Sequence, residues 1–454
     1  MAYRELSFWH DTVAAAGDAL ERRPRLDGDT DVDVVIVGGG LTGLWTAWYL
    51  REREPEARIL VIEKEIAGFG ASGRNGGWCS ALFPRSTGSL AKAHGRDAAL
   101  AMRRAMIDTV GEVGRAAQDA GIDCDYVQGG TLLYARSAVQ ERAARADVAD
   151  AADYGVDPLE WWEADHVGAA GAVGGVFDPH CARLHPAKLV RGLARALEER
   201  GVRIAEGTTV TRFETGLVET DRGVVTCDRI VVAVEGYGAA LEQTHRRILP
   251  LYSLMIATEP LPTSFWDEVG IPHGRTFSDY RHLLIYGQRT ADDRFAFGGR
   301  GARYHWGSAI RPGYDRSEKV FTHLRRTLGE LFPAIGDAAV THRWGGPLGV
   351  PRDWHAAVRY DRTTRIGWAG GYVGDGLSTT NLAGRTLADL LSGSDTELTA
   401  LPWVGHRSPD WEREPLRFIG ANAGLVAMTA ADVEEHTTRR PSLIARVMGP
   451  LIGH

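Results

Sequence analysis

Three glycines set the first chemistry that the sequence can do. In "VVIVGGGLTGLW" (34–45), Gly38, Gly40 and Gly43 stand in the order G-x-G-x-x-G, after a β-branched apolar run and before an amphipathic one. The first allows a tight turn, the second lets a pyrophosphate approach the backbone, and the third lets a helix pack closely on its strand. The N–H groups and positive end of that helix then face the phosphates. Glu63 closes the next β-rich run, "RILVIEKE" (58–65), twenty residues after Gly43. A carboxylate there accepts hydrogen bonds from ribose hydroxyls and repels the extra phosphate of NADP. NAD and FAD share this fingerprint, so the loop alone does not choose between them.

A second glycine-rich stretch, "GFGASGRNGGW" (68–78), follows at once. Its small residues can lie flat against a cofactor that extends beyond the pyrophosphate. Ser72 offers a hydroxyl, Arg74 a charge, and Asn75 both a donor and an acceptor. A flavin needs such groups along its ribityl chain and near its ring, where negative charge develops on reduction. A flexible surface linker is the competing reading. The cofactor-holding set expected here is Gly38, Gly40, Leu41, Thr42, Gly43, Glu63, Lys64, Ala71, Ser72, Arg74, Asn75, Gly76, Gly77 and Trp78.

The elements that must position these residues follow from periodicity. After a polar N-terminal arm, a strand, a tight turn, a helix ending at Pro55 and a second strand make one βαβ unit. Helices are predicted over 97–120, 137–152, 185–204, 316–330 and 376–393, and short alternating strands over 208–236 and 251–300. Nucleotide-type elements thus recur near 34–77, 203–236 and 364–393, with sheet-rich segments between them. That interleaving predicts a cofactor domain built from 1–90, 175–250 and 341–401, a helical segment over 91–174, a substrate sheet over 251–340, and a helical tail over 402–454.

Composition sets the class. The chain has 454 residues, 44% of them hydrophobic and 24% charged, with a net charge of −7, which argues against a nucleic-acid binder. Its four cysteines, Cys79, Cys124, Cys181 and Cys227, form no CxxC pair and suit a reducing compartment. The N-terminal stretch lacks the pattern of a signal peptide, and "FIGANAGLVAMTA" (418–430) is too short to span a bilayer. A cytoplasmic protein is the expectation. "PHCARLH" offers His180, Cys181 and His185, read as a turn feeding a helix and not as a metal site.

Together "VVIVGGGLTGLWTAWYL", Glu63 and "GASGRNGG" resemble the FAD-dependent amine and D-amino-acid oxidase superfamily, within it the deaminating glycine/D-amino-acid oxidases and gamma-glutamylputrescine oxidoreductase relatives. The likeness runs on through "GTTVTRF", where Thr209 and Val210 would meet the adenine side. In "IVVAVEGYG", Glu235 and Gly236 occupy a turn that in the family usually reads Ala-Thr-Asn. "GWAGGYVGDGLSTTNLAGRTLADLLSG" is similar to the closing FAD motif, where Gly374, Gly376, Leu377, Ser378 and Thr379 open a helix. Its positive end can stabilise negative charge on a reduced flavin.

The resemblance implies an α/β (α+β) fold: a Rossmann-like FAD-binding domain, an interleaved antiparallel-sheet substrate domain and a helical C-terminal tail. It implies non-covalent FAD, with a thioether at Cys79 as the alternative. The activity implied is oxidation of the CH–NH bond of an amine or amino acid to an imine that water hydrolyses, with oxygen or another electron acceptor. Tyr286, Arg289, His282 and Trp344 are the candidates for holding substrate. No lysine occurs between 188 and 319, so Arg300 is the nearest cation on the sheet segment. A flavin monooxygenase or halogenase, for which Gly374-Asp375 is the matching feature, and a catalytically silent flavoprotein are the alternatives.

Overall fold

A computed structural model of the chain describes residues 3–449 apart from 157. Two eight-stranded sheets carry the molecule. In the first, Thr30–Val37 lies at the centre, paired in parallel with Gly223–Val232 on one side and Ile59–Ile62 on the other. Arg203–Ala205 continues the parallel order beyond Ile59–Ile62, and Ile366–Gly370 beyond Gly223–Val232. Val34, Val35 and Ile36 have no exposed surface, because a parallel strand is covered on both faces and needs apolar residues at successive positions. Helices Leu41–Arg53 and Gly376–Ser392 cover one face together. They cross closely at Gly384, where a Cβ would lie 2.6 Å from Trp45 Cβ.

The second sheet runs in the order 340–350, 249–258, 295–302, 285–289, 276–279, 131–135, 174–178, 160–163. Its pairs are antiparallel except for Thr276–Asp279 with Thr131–Ala135. Helix Glu318–Leu331 backs it, burying Phe321, Leu324, Leu328 and Leu331. A two-stranded ribbon, Trp78–Ser80 with Cys181–Arg183, ties the second glycine loop to the segment before helix Pro186–Glu199. The architecture is the mixed α/β one expected from sequence, with a C-terminal helix Leu416–Thr438.

Two segments sort differently from the sequence boundaries: 175–178 and 341–350, assigned there to the cofactor unit, lie in strands Gly174–Asp178 and Val340–Val350 of the second sheet. The polar N-terminal arm is also corrected. Phe8–Ala15 is a helix capped by Ser7, which buries Phe8, Trp9 and Val13 against Met255, Ala296 and Trp344. Its apolar face is short and its ends are polar, which hides it in a composition reading. Among the described residues no helix is long and apolar enough to cross a membrane.

Candidate active site

The first glycine loop has the strained geometry its composition allows. Gly38 has φ +111°, and a Cβ there would lie 2.4 Å from the Ala233 carbonyl oxygen. Its N–H donates to Ile62 O at 2.8 Å, which holds the turn against the neighbouring strand. Glu63 accepts the Gly39 N–H at 2.8 Å and the Glu65 N–H at 2.9 Å. Burial raises its carboxyl to about 7, with those two N–H groups pulling the other way.

A cavity of about 700 Å³ starts at this loop and runs to the second sheet. It is lined by Gly38, Gly40, Leu41, Thr42, Glu63, Lys64, Ala71, Ser72, Arg74, Asn75, Gly76, Trp78, Thr209, Val210, Glu235, Gly374, Gly376 and Leu377. Gly43, Gly77, Gly236, Ser378 and Thr379 do not line it. Gly43 sits where a Cβ would press on Gly38 O, and Gly77 where it would press on Gln288 and Leu184 O. Gly236 packs on the backbone at 348–349, while Ser378 and Thr379 turn their hydroxyls to Ser80 O and Asp375 O.

The second loop turns its polar side chains toward protein. Ser72 Oγ accepts the Leu41 N–H at 2.9 Å, capping the helix that follows the first loop. Arg74 is buried and donates to Gly345 O at 2.9 Å, Tyr237 Oη at 2.7 Å and Asp315 at 3.1 Å. Asn75 bonds Ala71 O, Ser72 O and the Gly77 N–H. The N-terminal helix buttresses this loop, since Trp9 Nε1 donates to Asn75 O at 2.8 Å, and sequence reasoning missed that support.

Opposite, the closing loop is clamped by charged residues. Val373 and Gly374 have positive φ, 54° and 109°. Glu235, itself at φ 43°, accepts the Gly371 N–H at 2.9 Å and the Tyr372 N–H at 3.3 Å. Burial raises its carboxyl to about 7. Arg300 donates to Val373 O at 2.6 Å; burial lowers its pKa, against the pull of Asp375. Asp375 precedes helix Gly376–Ser392, and burial raises its carboxyl to about 6, with Arg300 lowering it.

The second sheet supplies the remaining wall, including Thr131, Ser253, Ser278, Tyr286 and Arg300. Tyr286 Oη lies 2.8 Å from Ser253 Oγ. Its ring fills space kept open at Gly76 and Gly298, where a Cβ would come within 2.7 and 2.6 Å. Burial raises the pKa of this hydroxyl, opposed by Ser253 and Arg300. Thr131 Oγ1 is buried with no hydrogen-bond partner among the described residues. Ser253, Arg300 and Thr131 enter from strands distant in sequence, and only their register shows their convergence.

The other candidates stand outside the cavity. Arg289 pairs with Asp293 at 2.6 Å and lies over Trp266. His282 meets Glu435 of the C-terminal helix at 3.0 Å. Trp344 is buried one layer behind, donating to Arg74 O at 2.9 Å. None of the four cysteines lines the cavity; all are buried and free. His185 caps helix Pro186–Glu199, and among the described residues no group of three His, Cys, Asp or Glu gathers as a metal site.

These residues fit a dinucleotide extended by a ring system. The glycine loop and Glu63 form one end, and the cavity continues past the second loop to the start of helix Gly376–Ser392. Comparison with known proteins agrees. Residues 33–390 match the family model described as DAO, FAD dependent oxidoreductase. The gamma-glutamylputrescine oxidoreductase of Escherichia coli (strain K12) is 30% identical over 384 residues, 82% of this chain and 87% of the relative. A probable oxidoreductase OrdL of Rhizobium meliloti (strain 1021) is 30% identical over 83% of this chain and 87% of its own. Glycine oxidase from Geobacillus kaustophilus shares the fold with a TM-score of 0.70 at 19% identity, over 83% of this chain and 99% of that one. The match spans most of the chain, which belongs to the DAO family of FAD-dependent oxidoreductases.

Proposed function

We propose that the protein oxidises the CH–NH bond of an amine or amino acid. The observation that carries this reading is the single cavity joining the glycine loop and Glu63 to the sheet face that bears Tyr286, Ser253 and Arg300. The similarity to gamma-glutamylputrescine oxidoreductase supports it and makes extended amines the first substrates to try. Bound FAD supplies a two-electron acceptor for the hydride leaving the substrate carbon. The N–H proton passes to solvent, a C=N bond forms, and water then releases a carbonyl compound and an amine.

In this reading Glu63 binds ribose hydroxyls, the first turn of helix Leu41–Arg53 faces the pyrophosphate, and Thr209 and Val210 border the adenine. The start of helix Gly376–Ser392 places N–H groups and a positive dipole end beside the electron-rich edge of the ring. Tyr286, with its pKa raised by burial, stays protonated at neutral pH and orients substrate by donating a hydrogen bond. Arg300 offers positive charge to an anionic substrate group, and Thr131 a hydroxyl with no partner among the described residues. The four free, buried cysteines support a cytoplasmic location.

The test is anaerobic bleaching of the flavin absorbance by a panel of amines and amino acids, with NADPH as a separate arm. Bleaching by at least one amine without NADPH is expected. Reduction by NADPH and by no amine overturns the reading in favour of a monooxygenase type.

A further inference from the structure

The C-terminal helix Leu416–Thr438 carries apolar residues on its outward side as well as its inward one. Inward, Phe418 and Ala421 pack against a cluster of Leu249, Tyr304, Val350, Val373 and Trp411, and polar contacts flank them. Asn422 pairs with the Tyr304 backbone in both directions, at 3.1 and 3.2 Å. Asp432 accepts the His282 and Leu283 N–H groups at 2.7 and 3.0 Å, and Arg417 is buried against Glu414. Gly424 and Ala431 are buried on the same side. On the outward side Leu416, Ile419, Val426 and Val433 are 65%, 59%, 69% and 61% exposed. With Ala423 and Ala430 they repeat at alternating steps of three and four residues, the spacing of a helix–helix seam. A helix on a protein surface normally turns a single apolar stripe to the core, so the second stripe on the outward side is built to be covered from outside.

We propose that this face is the interface between two copies of the chain, whose C-terminal helices cross antiparallel at Val426. The stripe is its own complement. Ile419 and Val433 lie seven residues to either side of Val426, so a two-fold axis there sets Ile419 of one copy on Val433 of the other. Gly420, Ala423, Ala427 and Ala430 are small enough for close approach, and antiparallel helices bring opposite dipole ends together.

The available area suffices. Trp306, 58% exposed and resting on Phe418, and Leu443 and Val447 on the next short helix, 65% and 70% exposed, enlarge the apolar surface. At roughly 60–120 Å² for a fully buried aliphatic side chain, the two copies together cover on the order of 1,000 Å², the size at which interfaces become specific. The interface would also brace the site, because Asp432 holds His282 and Leu283, and the adjacent Leu284 lines the cavity.

The experiment uses the full chain loaded with FAD, at micromolar concentration, in size-exclusion chromatography with light scattering. A two-chain mass is expected. Val426→Glu should give one folded chain that still carries FAD, with a melting temperature that is lower than the wild type's and no longer rises with protein concentration, because the partner's contribution is lost. Because the native cysteines are buried, engineered surface thiols report the pairing. Val426→Cys should oxidise to a linked dimer, and Ile419→Cys should link to Val433→Cys but not to itself. A one-chain mass for the wild type overturns the proposal, and so does a one-chain protein that sediments with phospholipid vesicles, which assigns the face to lipid. A dimer that survives Val426→Glu, or self-linkage of Ile419→Cys as efficient as that of Val426→Cys, overturns it equally.

Discussion

Replacing Gly43 by alanine separates helix propensity from the packing that the dinucleotide loop requires. In an open helical position the change stabilises by about 1 kcal/mol, because glycine has the greater backbone freedom to lose. Gly111, in helix Arg96–Asp119, is such a position, with nothing within 4 Å of a new Cβ. At Gly43 the same methyl group would lie 2.1 Å from the Gly38 carbonyl oxygen and 3.0 Å from Ile36 Cγ2. Restoring an ordinary contact requires a shift of about 1 Å between helix and loop, in an interior packed too densely to yield. Neither side is free: Gly38 is held at φ +111° and bonded to Ile62 O. Overpacking of this kind costs roughly 1–3 kcal/mol, which exceeds the propensity gain. The same shift displaces the N–H groups at the start of helix Leu41–Arg53, proposed to hold the phosphates, and about 1.4 kcal/mol of lost contact is a tenfold weaker affinity. Thermal denaturation of the apoproteins and fluorescence titration with FAD measure both effects. Gly111→Ala should melt higher with unchanged affinity, and Gly43→Ala should melt lower and bind FAD at least tenfold more weakly. If the two variants behave alike in both assays, the close packing of loop, strand and helix is not what holds the cofactor.

Arg74→Lys removes a fork that serves Gly345 O, Tyr237 and Asp315 at once; one ammonium cannot replace it, so the ratio of flavin to protein absorbance should fall, and full loading would refute this. Tyr286→Phe keeps the ring between Gly76 and Gly298 but loses the hydroxyl beside Ser253. Flavin content and melting temperature should hold while kcat/KM drops about tenfold, and an unchanged kcat/KM would show that the hydroxyl only packs. Glu235 has its carboxyl raised to about 7 in the folded chain, so the folded state binds the extra proton. The stability this contributes is complete below the unfolded value and is lost as pH rises through about 7. Apoprotein melting temperature should therefore fall more steeply between about pH 5 and pH 8 in the wild type than in Glu235→Gln. The slope will not vanish, because Glu63 and Asp375 shift in the same direction; parallel curves would refute the assignment.

What the sequence showed of this site was the part that is local in the chain. Gly38, Gly40, Gly43 and Glu63 act through one strand–turn–helix–strand unit, so spacing alone places them. The sheet wall of the cavity is not local. Ser253, Tyr286 and Arg300 lie on three neighbouring strands whose register pairs Ser253 with Arg300 and Tyr286 with Gly298, and no spacing rule reports that. Arg289 shows why proximity to Tyr286 misleads. Three residues along a strand is an odd step, which points a side chain to the opposite face, and Arg289 accordingly lies over Trp266. His282 falls before strand Ile285–Arg289 and is held by a helix more than a hundred residues further on.

The second glycine loop lines the cavity while its polar side chains serve a different physical role from the one its composition suggests. Its polar side chains suggest ligand contacts, and the loop does line the cavity. Yet Ser72 caps helix Leu41–Arg53, Arg74 ties the loop to the second sheet, and Asn75 satisfies the loop's own backbone. The side chains are committed to protein, which leaves backbone and glycine positions to form the wall. Such a wall tolerates little, because removing Ser72 Oγ strips a cap worth about 1 kcal/mol from helix Leu41–Arg53. The loop therefore acts on the cofactor through the first loop as well as beside it. A glycine-rich segment thirty residues after a phosphate loop is best understood as the part that holds that loop in shape.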